Sequence, residues 1–190
     1  GRGVKIVERD VAAKPPGMID QSFLQAARTS ASNRTPEQIE RLRESDELVG
    51  EVLASDVLVI SCPVYHFGIP APLKAWIDNI VREGKTYTFG EGRNAKRVYG
   101  LLHNKLVVLL QSSGSSGFHT GGSRESLNHA DKAVIAVFTE LGVHKFEKAS
   151  MEGVCEETDE TLERNWIQCE RRLAEIADRI KVRWRDQHRA

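Results

Sequence analysis

The chain has 190 residues, enough for one domain with a substantial core. Lys plus Arg and Asp plus Glu both number 27, so the formal net charge is zero and no overall basic field exists to draw in nucleic acid or anionic lipid. No apolar run reaches the length of a membrane helix, no signal peptide opens the chain, and three cysteines without a C-x-x-C pattern argue against a disulfide framework or zinc site and imply a reducing, cytoplasmic setting.

In chain order, Val4 to Glu8 reads as a short strand, and Pro15-Pro16-Gly17 breaks the chain. Phe23, Leu24 and Ala27 predict a short amphipathic helix, and Ser30 to Arg34 a polar loop. Thr35, Pro36 and Gln38 form a capping box that starts a helix whose apolar positions are Ile39, Leu42, Val49, Val52 and Leu53. Val57 to Ile60 is apolar without alternation, as in a parallel strand buried on both faces. The chain turns at Pro63, passes Tyr65, His66, Phe67 and Gly68, and enters a helix near Pro72. That helix has Leu73, Trp76, Ile77, Ile80 and Val81 inward and ends at Gly84.

Lys85 to Arg97 reads as a polar loop interrupted by Tyr87 and Phe89. Leu106 to Leu110 is a second fully apolar strand and runs directly into a Ser/Gly-rich segment, residues 112–122. A helix is predicted from about Arg124 to Leu141, with Leu127, Ala130, Val134, Val137, Phe138 and Leu141 inward and Gly142 as its cap. Lys145 to Met151 reads as an edge strand. The last helix runs from Asp159 to Trp184 with a stripe of Leu162, Trp166, Cys169, Leu173, Ile176, Ile180 and Trp184. No internal repeat or low-complexity tract is present.

Strands alternating with helices over residues 1–190 predict a single α/β domain with a doubly wound parallel sheet. Such sheets bind ligands at the carboxyl ends of their strands. Two loops lie there. One is the aromatic stretch Pro63, Val64, Tyr65, His66, Phe67, Gly68. The other begins Ser112, Ser113, Gly114 and continues to His119, and its glycines let the backbone approach a flat ring and offer free N–H groups. Competing chemistries fail on spacing. A phosphatase built on Cys62 needs an Arg six residues on, where Gly68 stands. A serine-hydrolase elbow needs glycines four apart, whereas Gly114 and Gly117 are three apart. His66 reads as a structural donor, His129 as a packing or solvent-facing residue, and the acidic run 156–160 as a helix N-terminus favoured by the dipole. The lack of a triad, metal set or carboxylate pair suits a protein whose cofactor carries the chemistry.

The stretch Pro63, Tyr65, Phe67, Ile69, Pro70, Leu73, Lys74, Ala75, Trp76 and Asp78 closely resembles the pattern of the flavodoxin-like FMN-dependent NADH:quinone oxidoreductases and azoreductases, P-[MV]-Y-[NH]-F-x-I-P-x-x-L-K-A-W-x-D. Ser112-Ser113-Gly114 and Gly117-Phe118-His119 resemble the two ends of that family's loop after the fourth strand, here one or two residues longer. The resemblance implies that FMN is held by Pro63, Val64, Tyr65, His66, Phe67 and Gly68 around its ring and by Ser112, Ser113 and Gly114 at its pyrimidine edge. It makes His119 the donor to charge at N1/O2. NADH or NADPH would be the co-substrate and a quinone or azo compound the acceptor. A flavodoxin-like electron carrier or flavin-binding protein is the alternative, weakened by the zero net charge.

The resemblance further implies a homodimer, with Trp76, Ile80, Tyr87 and Phe89 expected to lose area to a second subunit. It places residues 85–97 near the flavin edge and the partner; a solvated loop reads equally well. In strand order 2-1-3-4-5 the four strands found are the second to fifth, and the first strand with its phosphate loop is absent. Gly1-Arg2-Gly3 directly precedes the supposed second strand, so the chain is expected to be a fragment of a longer one. Losing a central strand withdraws burial on the order of 10 kcal/mol. The 190 residues are therefore expected to be marginally stable, to bind FMN weakly, and to leave residues 4–8 without a normal ladder partner.

Overall fold

The structure, a computed structural model, describes residues 4–187, apart from the side chains of Asn94, Trp184, Asp186 and Gln187. Gly1-Arg2-Gly3 lie outside the described residues, as does the Trp184 side chain of the last stripe. In order the elements are α1 (Gln21–Arg28), α2 (Pro36–Ala54), β1 (Val57–Pro63), α3 (Ala71–Ile80), β2 (Tyr87–Phe89), β3 (Val98–Gly100), β4 (Leu106–Ser112), α4 (His129–Glu140), β5 (Phe146–Met151) and α5 (Asp159–Gln187). They fall into two compact units. One holds the chain up to Leu58, Pro70–Leu106 and Ile135–Lys145; the other holds Val59–Ile69, Val107–Val134 and the chain from Phe146 onward.

In the first unit both opening helices start on side-chain caps. Asp20 accepts the Phe23 N–H at 2.8 Å. Thr35 Oγ1 accepts the Gln38 N–H at 3.3 Å while Gln38 Oε1 accepts the Thr35 N–H at 3.1 Å, the capping box read from sequence. Phe23 and Ala26 pack on Leu42, and α2 turns Leu48, Val49 and Val52 inward while Ile39 and Leu53 stay exposed. A polar knot sits beside them. Arg82 is only 3% exposed; it donates to Ser45 Oγ at 2.6 Å, faces the Asp46 carboxylate at 3.0 Å and lies over the Phe23 ring at 5.6 Å. Ser45 in turn donates to the Asn79 carbonyl at 2.6 Å. The knot gives a buried guanidinium the partners that burial demands.

Residues 85–97 are not a plain solvated loop. β2 pairs antiparallel with β3, Tyr87 opposite Gly100 and Phe89 opposite Val98. Three-residue strands are too short for periodicity to reveal. Trp76 and Ile80 are buried within the chain, Trp76 against Phe138 with ring centroids 6.2 Å apart, so neither has area to lose to a second subunit.

The second unit is built on a sheet of order β1-β4-β5. β4 and β5 are parallel, in register from Val107↔Phe146 to Ser112↔Met151. β4 is central, and Leu106 to Leu109 are all buried. β5 is an edge strand, as read. β1 is not buried on both faces: Ile60 and Cys62 are buried, but Val59 is 60% exposed and Ser61 is exposed. It occupies the other edge of this sheet, packed on one face, and an apolar run cannot by itself report which faces are covered.

Residues 4–8 form no strand. Val4, Ile6 and Val7 are exposed and lack a ladder partner among the described residues, and a strand exists only through pairing. The segment is tied down instead by Arg9, which binds Glu47 at 2.6 Å and Glu51 at 2.5 Å on α2. α4 begins at His129, not Arg124, because Asn128 acts as its cap, accepting the Asp131 N–H at 3.4 Å. Residues Glu125–Leu127 form a 3-10 turn and Leu127 points outward. α5 docks on β5 through Glu147, which binds Arg172 and Arg179, each at 2.7 Å. Ile176 is buried, whereas Trp166 and Leu173 of the predicted stripe are exposed, because the packed side is the one that meets β5.

Gly100 permits the closest backbone approach in the first unit: a Cβ there would lie 2.0 Å from the Leu141 carbonyl carbon. Gly100→Ala is expected to lower the unfolding free energy by about 3 kcal/mol in urea titrations at unchanged m-value. Gly50, inside α2 with no atom within 4 Å of a built Cβ, is the control. Gly50→Ala should stabilise by about 0.5–1 kcal/mol.

Candidate functional site

The site lies in the second unit, where β1 and β4 end. The Val64 N–H donates to the Ser112 carbonyl at 2.7 Å, extending the pairing of the two strands past Pro63. The chain then folds back in one tight turn: Tyr65 N–H to Gly68 O and Gly68 N–H to Tyr65 O, both at 2.9 Å. Between them His66 has φ +48 and Phe67 φ +68. Positive φ at both central residues defines a type I′ turn, which normally takes Asn and Gly. This gives position 66 its reason. His and Asn tolerate the left-handed region better than most side chains, so His66 is set by backbone shape as well as by any donor role. Tyr65 and Phe67 are 60% and 47% exposed, and the His66 and Phe67 amides stand at the tip.

The Ser/Gly loop comes to the same place. The Phe67 and Phe118 rings are 6.2 Å apart, the His129 N–H donates to the Phe67 carbonyl at 2.9 Å, and Asn128 Nδ2 donates to the Phe118 carbonyl at 3.3 Å. Phe118, Asn128 and the His129 amide thus hold the two loops together. From the sequence, only His119 of the Gly117-Phe118-His119 match carried an expected role, Asn128 carried none, and His129 was read as packing or solvent-facing.

The loop is less free than its composition implies. Ser113 donates to the Met151 carbonyl at 3.0 Å and accepts from Val154 at 3.1 Å, and Gly114 accepts from Cys155 at 3.0 Å, continuing the β4–β5 pairing into the loop. Ser113 is buried, and its hydroxyl donates to the Ser115 carbonyl at 2.8 Å. Glu156 and Glu157 precede α5 and accept the Ser115 and Ser116 hydroxyls, so only the later part of the acidic run opens the helix. Glu152 Oε2 accepts the N–H groups of Gly117 at 2.8 Å and Phe118 at 3.0 Å and meets His119 Nδ1 at 3.1 Å. The amides of Ser113, Gly117 and Phe118, expected to be open to a ligand, are therefore bonded within the chain. Ser112 and Gly114 are half-buried at the loop's start.

His119 is 63% exposed and borders a cleft of about 430 Å³ that Lys148, Glu152, Cys169 and Arg172 also line. The cleft's cations are already matched, Lys148 by Asp131 and Arg172 by Glu147. Cys62 is buried beside Gln111, and burial pushes its thiol up, away from the thiolate a nucleophile needs.

The left-handed turn can be tested without a ligand. His66→Asn should leave the unfolding free energy within about 0.5 kcal/mol of the parent, while His66→Val, β-branched at positive φ, should cost about 1–2 kcal/mol by chemical denaturation. Equal stability of the two variants would contradict the turn.

Known proteins supply the wider frame. A family model described as flavodoxin-like fold matches residues 1–173. "FMN-dependent NADH:quinone oxidoreductase 2" of Idiomarina loihiensis is 44% identical over 137 residues, covering 72% of this chain and 57% of the relative. The protein of the same name from Colwellia psychrerythraea is 39% identical over 142 residues, 75% of this chain and 65% of the relative. The chain thus spans under two thirds of the length of these two curated relatives. A crystal structure of azoreductase from Bacillus anthracis superposes with a TM-score of 0.78 at 22% identity, covering 91% of this chain and 81% of that one, a likeness of fold. With the β1-β4-β5 sheet, the loops at its ends and a family match over most of its length, the chain belongs to the flavodoxin-like fold family.

Proposed function

We propose that this chain is part of an FMN-dependent NADH or NADPH:quinone oxidoreductase that also reduces azo compounds. The observation that carries the reading is the left-handed aromatic turn Tyr65–Gly68, held against the Ser/Gly loop where two neighbouring strands of an α/β sheet end. The names of the curated relatives support it. The residues fit a flavin ring: exposed aromatic faces at Tyr65 and Phe67 and backbone groups at the tip of the turn between them. When bound, FMN would supply two-electron transfer from the reduced nicotinamide to the acceptor.

The chain's own part is binding and electrostatics. Pro63, Val64, Tyr65, His66, Phe67 and Gly68 would hold the ring, Ser112, Ser113 and Gly114 would contact its polar edge, and His119 would supply a donor to negative charge on the reduced group. Among the described residues no helix is long and apolar enough to cross a membrane, and the free thiols fit our assignment to the cytoplasm.

With FMN added, a quinone should accelerate NADH oxidation in stoichiometric excess over protein; no turnover with several quinones would overturn the proposal. His119→Ala should slow turnover by the equivalent of about 2.7–4 kcal/mol and lower the flavin potential, whereas His66→Asn should change neither.

The working form is proposed to be a homodimer. Phe89 is 43% exposed on the β2–β3 hairpin, directly opposite the exposed Val98 on the same face, an apolar pair that a second copy would cover. Light scattering at micromolar concentration should give twice the chain mass, and Phe89→Glu should halve it; a monomeric parent would contradict this.

A further inference from the structure

His119 and Glu152 decide each other's proton arrangement. Glu152 Oε2 accepts two backbone N–H groups, from Gly117 at 2.8 Å and Phe118 at 3.0 Å. An oxygen that takes two N–H donors is the one without a proton, so it can only accept from a third group. The His119 Nδ1 that meets it at 3.1 Å must therefore carry hydrogen. The carboxylate is itself fixed: the Glu152 side chain is 11% exposed, and the Glu152 carbonyl accepts from Asn165 Nδ2 at 3.2 Å. The next residue, Gly153, has φ +78, and a Cβ there would lie 2.3 Å from Glu157 Cγ and 2.5 Å from Ser116 Oγ. This turn admits only glycine and aims Glu152 back at the loop.

We propose that Glu152 is the positioning residue of the site: it locks the His119 ring in the Nδ1–H form and leaves Nε2 as the nitrogen open to a ligand. In the neutral ring that nitrogen is an acceptor and matches a hydroxyl or N–H on the ligand. It donates only when the ring is cationic, with Glu152 as its counter-ion. A ligand that presents a carbonyl or anionic oxygen, as the proposed flavin and quinone do, is therefore matched by the His119 imidazolium and not by the neutral ring. The identity of that ligand rests on the function proposed above; the state of the ring does not.

Long-range nitrogen–proton NMR of the labelled 190-residue protein, without cofactor, tests this directly. The neutral His119 ring should show a pyrrole-type Nδ1 and a pyridine-type Nε2. Glu152→Ala should move the ring to the Nε2–H form that unconstrained histidines favour and speed amide exchange at Gly117 and Phe118 by about tenfold or more. Should that variant not fold, Glu152→Gln keeps an oxygen for both amides. It should preserve both their protection and the Nδ1–H form, because an amide oxygen that takes two N–H donors can only accept from the ring. A parent ring already in the Nε2–H form, a ring spectrum unchanged in Glu152→Ala, or an Nε2–H ring in Glu152→Gln with both amides still protected overturns the proposal. Because neither FMN nor substrate is present, this outcome and the outcome of the turnover assay can fail independently.

Discussion

The backbone of β4 is committed on both edges, and the candidate site depends on that commitment. Within the sheet β4 pairs with β1 and β5. Beyond it the pairing does not stop: Ser112 accepts from Val64 on one side, and Ser113 donates to Met151 on the other. The two loops therefore leave the sheet at a common level and in fixed register. Four consecutive buried apolar residues, Leu106 to Leu109, anchor the strand beneath them. Hydrophobic burial holds the strand; the unbroken ladder places the loops.

Past the ladder, each loop is held by a local constraint that its composition hides. The aromatic loop is a two-residue turn that places His66 and Phe67 in the left-handed region, a conformation that costs on the order of 1–3 kcal/mol per residue and persists only where surroundings enforce it. The surroundings are the paired Tyr65–Gly68 bonds, the His129 amide on the Phe67 carbonyl and the Phe118 ring. The Ser/Gly loop looks flexible but closes around one carboxylate. Glu152 gathers the Gly117 and Phe118 amides and the His119 ring, and Glu156 and Glu157 hold the two serine hydroxyls. A glycine-rich segment is thereby made rigid enough to present His119 at the lip of a cleft.

Much of this was legible in the amino-acid sequence where local chemistry decides the outcome. The Thr35 capping box, the apolar runs of β1 and β4, the edge position of β5 and both loops of the site follow from residue types and spacing. Outcomes set by distant partners were not. β1 has the pattern of a doubly covered strand but one packed face, whereas the missing ladder partner of residues 4–8, seen among the described residues, had been expected. The β2–β3 hairpin is too short to show a period. Within the site, amides that the sequence presents as free are taken by a carboxylate 35 and 34 residues away, and nothing in Met151-Glu152-Gly153 announces that contact. The positive φ at His66 had one trace, the His-or-Asn choice at that position, which is a backbone signal that reads like a side-chain one.

Chemical-shift mapping tests the central claim, that the loops after β1 and β4 form one flavin-binding surface, and it works even for weak binding. Titrating FMN into the labelled protein should move the amides of Tyr65, His66, Phe67 and Ser112 to Gly114 together, on one saturation curve. Shifts confined to the cleft bordered by Lys148 and Arg172, with the Tyr65–Gly68 turn unmoved, would contradict it.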